Sequence, residues 1–134
     1  MPNIAVRHTG TRYGDSRVWV YADISEQRGR ASITLNMSTF TAATHYPNGY
    51  LPSGLVLGKI TATGLYGPYD PAATDGRETA AGFLWDAFTP TDLTGNEVAP
   101  LWFGPGAIQE NKMPANSGLD AAAKADLVNW FKFF

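Results

Sequence analysis

Apolar and polar positions alternate with a period of two in several stretches of the chain, the spacing that sends successive side chains to opposite faces of a strand. Over residues 17–24, Val18, Val20 and Ala22 fall on one side and Trp19, Tyr21 and Asp23 on the other. Over residues 31–37, Ile33, Leu35 and Met37 face together. The connector 25–30 is polar and contains Gly29, so the pattern predicts a hairpin between these two strands.

Punctuation then takes over. Pro47-Asn48-Gly49-Tyr50 and Leu51-Pro52-Ser53-Gly54 are consecutive turn signals. A strand is predicted over 55–63, with Gly58 marking a bulge or a close backbone approach. Residues 64–76 read as one long turn-rich loop. The next strand is 79–88, where Ala80, Ala81 and Gly82 allow tight packing ahead of Phe83, Leu84 and Trp85. After a loop at 89–95, residues 97–103 form a strand that contains Pro100 and is therefore placed on an edge or at a bulge. Residues 104–118 read as loop. The period changes at the end of the chain: Asp120 caps a predicted amphipathic helix in which Leu127, Trp130 or Phe131, and Phe134 return to one face. Fourteen glycines and nine prolines suit short strands and turns better than a helical bundle. The fold class expected is mainly β: a small barrel or tulip-like body with an extended N-terminal arm and one C-terminal amphipathic helix.

Composition narrows the function classes. A chain of 134 residues is the size of one domain. Without cysteine there is no disulfide framework, thiol nucleophile or zinc knuckle, and His8 and His45 are the only histidines. No apolar run approaches the roughly 20 residues of a membrane span, and the start lacks the basic-then-apolar form of a signal peptide, so a soluble, unexported chain with no membrane partner is expected. Charge is uneven: residues 1–30 carry five arginines against Asp15, Asp23 and Glu26, whereas no charged residue lies between Arg30 and Lys59. That charge-free stretch is either core strand, or partly covered by a partner, or both.

Catalytic patterns are missing: there is no Gly-x-Ser-x-Gly, His-Glu-x-x-His or Gly-x-x-x-x-Gly-Lys. Asp70 and Asp75 share a loop without the further carboxylates of a calcium site and read as turn organisers beside Pro71 and Gly76. His8 and His45 have no neighbouring acid to orient them as bases, and Asn36-Met37-Ser38 matches a glycosylation triplet by chance. No metal and no cofactor is expected. A net charge of −2 argues against nucleic acid as a partner. Two other classes stay open: a carbohydrate-binding barrel using Trp19, Trp85, Trp102, Tyr66 and Tyr69, unless Trp85 and Trp102 are core, and a hydrolase using Asp86 and Glu97.

Residues 33–70 run uninterrupted through Leu51-Pro52-Ser53-Gly54, Leu57-Gly58 and Gly64-Leu65-Tyr66-Gly67-Pro68-Tyr69, and continue through Pro71-Ala72-Ala73-Thr74-Asp75-Gly76 to Thr79-Ala80-Ala81-Gly82-Phe83-Leu84-Trp85. This combination, over roughly residues 31–90, resembles the lambda-type head decoration proteins of tailed phages, as they occur in actinobacterial phages. Its motif positions are Pro52, Gly54, Gly58, Gly64, Gly67, Pro68, Asp70, Asp75 and Gly76.

The resemblance implies a non-enzymatic virion protein. It would sit as a homotrimer at three-fold positions on the outside of an expanded capsid, bound to the major capsid protein, and resist the pressure of packaged DNA. It also implies an N-terminal arm that adds a strand to the shell. Residues 1–30 match that arm or strand extension, with Ile4, Val6, Arg7, Arg12, Tyr13 and Arg17 as capsid-binding candidates, and 31–134 match the body. The strand pattern over 17–24 leaves the boundary between the two open. Thirty extended residues reach up to about 100 Å, far beyond a body with a radius of gyration near 13 Å. The excess of aromatics near the C-terminal end places some of Trp102, Phe103, Trp130, Phe131, Phe133 and Phe134 between subunits.

Overall fold

The computed structural model describes residues 17–26 and 28–134. Its strands are β1 (Val20–Ala22), β2 (Arg30–Asn36), β3 (Val56–Lys59), β4 (Tyr66–Pro68), β5 (Ala80–Leu84), β6 (Asn96–Trp102), β7 (Gly106–Ile108) and β8 (Phe131–Phe133). Two helices, α1 (Ala42–His45) and α2 (Ala121–Leu127), and 3-10 turns at Met37–Thr39 and Glu110–Lys112 complete the described elements. Five strands close a barrel in the order β2-β4-β3-β5-β6, and β1-β7-β8 form a separate sheet. The mainly β barrel expected from the sequence is what forms.

β3, β5 and the end of β6 are buried on both faces because their two faces feed two cores. Leu57, Leu84 and Leu101 point into the barrel with Ile33, Leu35, Met37, Phe40, Leu51 and Leu55. Their chain neighbours Val56, Phe83 and Trp102 point outward, where the small sheet and α2 cover them with Trp19, Ile108, Leu127 and Phe131. A strand buried on both sides reads as a continuous apolar run, which is why β3 and β5 lack the clean alternation of β2. The charge-free stretch supplies core at Ile33, Leu35, Met37, Phe40, Leu51 and 53–58, while Ser32, Ser38, 41–44 and 47–49 are uncharged exposed surface.

Gly58 faces Ala80 while Leu57 faces Gly82, so the register shift puts the extra residue in β5, at Ala81, rather than at Gly58. Gly58 is instead the close approach: a Cβ there would stand 2.7 Å from the Arg77 Cα. Asp120 caps α2, its carboxylate accepting the Ala123 N–H at 2.8 Å.

Several sequence expectations are corrected. β1 is shorter than 17–24 and does not form a hairpin with β2; it pairs with β7, while β2 pairs with β6 along its whole length. A turn in which Val20 N–H donates to Arg17 O breaks the alternation, so Trp19 enters the core while Tyr21, predicted on the same face, is exposed. The segment 64–76 contains β4, which takes a barrel position between β2 and β3. The segment 104–118 contains β7 and the Glu110–Lys112 turn. The C-terminal helix stops at Leu127, so Trp130, Phe131 and Phe134 are not on it; residues 131–133 switch to a period of two and pair with β7 in parallel.

Pro100 is not on an edge, because β6 is paired on both sides. Phe103 N–H donates to Gly29 O, so antiparallel alternation makes Pro100 and Ser32 a pair that exchanges no hydrogen bonds. The missing N–H therefore faces the β5 side, where Trp85 N–H still donates to Pro100 O at 3.1 Å and the Trp85 carbonyl accepts the Ser53 hydroxyl in place of the absent return bond.

Candidate docking surfaces

The first described residues are fastened to the body by three independent contacts. Trp19 is 1% exposed, packs against Phe83, Trp85 and Trp102, and donates Nε1–H to Ser53 Oγ at 3.1 Å. Ser53 passes the bond on, its hydroxyl donating to Trp85 O at 2.6 Å. Arg17 pairs with Asp86 at 2.6 Å and lies 4.8 Å from the centre of the Trp85 ring. Arg30 stacks on the same indole at 3.8 Å and pairs with Asp23 at 3.2 Å. Two guanidiniums on one aromatic ring, each held by a carboxylate, add cation–π attraction to packing. Arg17 and Trp19 thus tie the first described residues to the body. Of the arm candidates, Arg17 is one of these ties, and Ile4, Val6, Arg7, Arg12 and Tyr13 lie outside the described residues, as does His8.

The motif positions build the turns around the barrel. Pro52 and Gly54 flank the Ser53 bridge, and Pro68 is buried opposite Leu57. Gly67 lets β4 pass Thr39 and Arg77, since a Cβ would stand 2.9 Å from Arg77 Cδ. Gly64 and Gly76 adopt φ of 72° and 115°. Asp70 accepts the Ala72 N–H at 2.9 Å, and Asp75 accepts the Arg77 N–H at 3.1 Å and its guanidinium at 3.0 Å. The Arg77 backbone bond, followed by its side chain, holds the Asp75 carboxyl below the usual range. Both aspartates organise turns, as their spacing suggested, and among the described residues no cluster of three metal-ligating groups exists.

The outer face of the small sheet is apolar and exposed. Tyr21 and Phe134 stack with ring centres 5.1 Å apart, and Lys132 Nζ lies 5.4 Å from the centre of the Phe134 ring. Val128, Trp130 and Phe103 are also exposed. Trp102 and Phe131, by contrast, are enclosed within the subunit, and Phe133 packs partly against the same core. Sequence reasoning missed Tyr21 and Val128; Tyr21 was hidden because the pattern put it beside Trp19.

The groups considered for other chemistry are committed elsewhere. Trp19, Trp85, Trp102 and Tyr69 are buried, so they offer no platform for sugar rings, and Tyr66 packs partly against the barrel core. Burial and the bond from its hydroxyl to Asp120 push the Tyr69 pKa up to about 12. Asp86 pairs with Arg17. Glu97 accepts the N–H groups of Asp92 and Thr91 and the Thr91 hydroxyl, bonds that lower its pKa and give it the role of a turn clamp. His45 accepts the Thr41 N–H on Nδ1 at 2.8 Å, and burial lowers its pKa. No described helix is long and apolar enough to cross a membrane.

Comparison with known proteins gives one positive finding. The family model described as bacteriophage lambda head decoration protein D matches residues 22–129. Among curated proteins and among solved structures nothing matches the chain.

Proposed function

Because the chain belongs to the bacteriophage lambda head decoration protein D family, we propose that it is a structural virion protein. It binds the outer surface of the expanded capsid as homotrimers at three-fold positions and stabilises the shell against packaged DNA. Its partner is the major capsid protein, it is made in the host bacterial cytoplasm, and it carries out no catalysis. The observation that carries this reading is the family match across residues 22–129, which takes in the whole barrel, β7 and α2. The commitment of Asp86, Glu97 and His45 to structural bonds supports it from the chemical side.

Residues 1–16 supply the arm and the Arg17–Trp19 root transmits its load to the barrel. Extended backbone donates and accepts hydrogen bonds along a shell strand, and three arms per trimer multiply a modest affinity. Phe103, Trp130 and Phe134 lie between subunits, where their burial drives association.

Co-sedimentation with expanded and unexpanded shells tests the assignment. Saturation on expanded shells alone, at a copy number equal to three per three-fold site, is the expected result. Absence of binding to either shell would sink it.

A further inference from the structure

The barrel closes on itself and has no free edge, whereas the small sheet ends at β8, which pairs with β7 on one side only. Gly106 N–H donates to Trp130 O at 3.0 Å and Phe134 N–H donates to Ile108 O at 2.8 Å, so in this parallel ladder Trp130, Lys132 and Phe134 turn their backbone groups towards β7. Alternation sends the N–H and C=O of Phe131 and Phe133 to the opposite edge, where no strand of the described residues meets them. Backbone donors and acceptors at strand spacing on an open edge are a template for one more strand.

The side chains of β8 define what that strand carries. Phe131 and Phe133 turn to the core, so Trp130, Lys132 and Phe134 form an exposed row along the edge. Lys132 Nζ lies 5.4 Å from the centre of the Phe134 ring, and among the described residues no carboxylate pairs with it, whereas Lys124 is held by Glu110 at 3.0 Å. A second copy of β8, paired antiparallel over the whole strand, would set Lys132 opposite Lys132, which is repulsive. β1, the other end strand of the sheet, offers Val20, Tyr21 and Ala22 and no acid. None of the described strands of this chain answers the lysine. The complement of β8 is therefore an extended segment of a different protein, with a carboxylate opposite Lys132 and apolar side chains beside Trp130 and Phe134.

We propose that the free edge of β8 receives an extended, acid-bearing segment of the shell protein, which adds a strand to the small sheet. The proposal rests on the capsid role stated above and supplies a surface of the body that takes the shell. Edge and face are separate surfaces: the added strand lies beside β8 in the plane of the sheet, while Trp130 and Phe134 project from that plane and still meet a neighbouring subunit. A few backbone hydrogen bonds and one charge pair give a modest affinity per site, which repetition over the shell multiplies.

Hydrogen exchange localised to single residues by mass spectrometry reads the edge in the full chain, free and bound to expanded shells. In the free chain the Phe131 and Phe133 amides are expected to exchange at least about tenfold faster than those of Lys132 and Phe134, which face β7, and on the shell they are expected to slow at least about tenfold. Lys132→Glu, with an unchanged near-ultraviolet circular dichroism spectrum, is expected to bind shells about three- to tenfold more weakly. Saturated shells on which the Phe131 and Phe133 amides exchange as fast as in the free chain overturn the proposal and leave capsid binding standing. Failure of the chain to bind shells overturns the capsid reading and this proposal with it. Protection of the same two amides that appears on concentrating the free chain without shells also overturns it, in favour of a second copy at the edge.

Discussion

Trp19 Nε1 and Ser53 Oγ, 3.1 Å apart, join the first described segment to the turn that leads into β3, and Ser53 in turn holds the Trp85 carbonyl. One hydroxyl thus satisfies a buried indole and a strand end at the same time. Ser53→Ala leaves the Trp19 N–H without an acceptor and is expected to cost about 1–3 kcal/mol, while Trp19→Ala, which also opens a void among three aromatic rings, costs about 3–5 kcal/mol. Urea unfolding of both variants checks the order. A smaller loss for Trp19→Ala than for Ser53→Ala would show that the indole is not a core element.

Gly58 is tested by a single methyl group. Since a Cβ would press on the Arg77 backbone at 2.7 Å, Gly58→Ala is expected to destabilise by about 1–3 kcal/mol. At Gly64, where the surroundings are open and only the positive φ objects, alanine is expected to cost about 1 kcal/mol. Thermal unfolding should rank Gly58→Ala as the worse of the two.

Acid destabilisation follows from the lowered carboxylates. Asp75 and Glu97 bind protons less readily in the folded chain than when unfolded, because backbone N–H groups hold their charged forms. Their contribution is complete above the ordinary carboxylate pKa of about 4 and is lost as pH falls through the depressed folded values. His45 adds a higher window. Its folded pKa lies below the ordinary imidazole value of about 6.5, so stability declines as pH falls from there, and protonation of Nδ1 breaks the Thr41 bond. Glu97→Gln should flatten the acid limb of a stability–pH curve and His45→Gln the limb beginning near neutrality; unchanged curves would contradict these assignments.

Deleting residues 2–16 removes the proposed arm and keeps Trp19 with its Ser53 partner and Arg17 with Asp86. The truncated chain is expected to unfold with the full-length midpoint and to bind expanded shells at least about tenfold more weakly. Undiminished shell occupancy would remove the arm from the binding account.

The exposed aromatics separate association from folding. Trp130→Asp and Phe134→Asp are expected to shift sedimentation towards the monomer with little change in stability, because both side chains are already half exposed. Trp102→Ala is expected to unfold the subunit, since that ring is wholly enclosed. Trimers that persist in both aspartate variants would place the interface elsewhere.

What the amino-acid order determined alone is local. Ile33, Leu35 and Met37 share a face because alternation is a property of extended backbone, Asp120 caps because its side chain reaches the third N–H beyond it, and Asp70 and Asp75 bond their own turns two residues on. The turn and strand motifs over residues 31–90 carried the family assignment for the same reason: they are contiguous. Partnership was decided only by tertiary structure. Tyr66–Pro68 has no periodicity to read and becomes a strand because β2 and β3 leave a place between them. Phe131–Phe133 would continue a helical stripe by spacing, yet β7 offers backbone hydrogen bonds and a core that takes Phe131. Trp19 and Tyr21 are equivalent in an alternating pattern, and one turn at Arg17–Val20 buries the first and exposes the second. Periodicity records which side chains share a face; which surface that face meets depends on hydrogen bonds and burial between residues far apart in the chain.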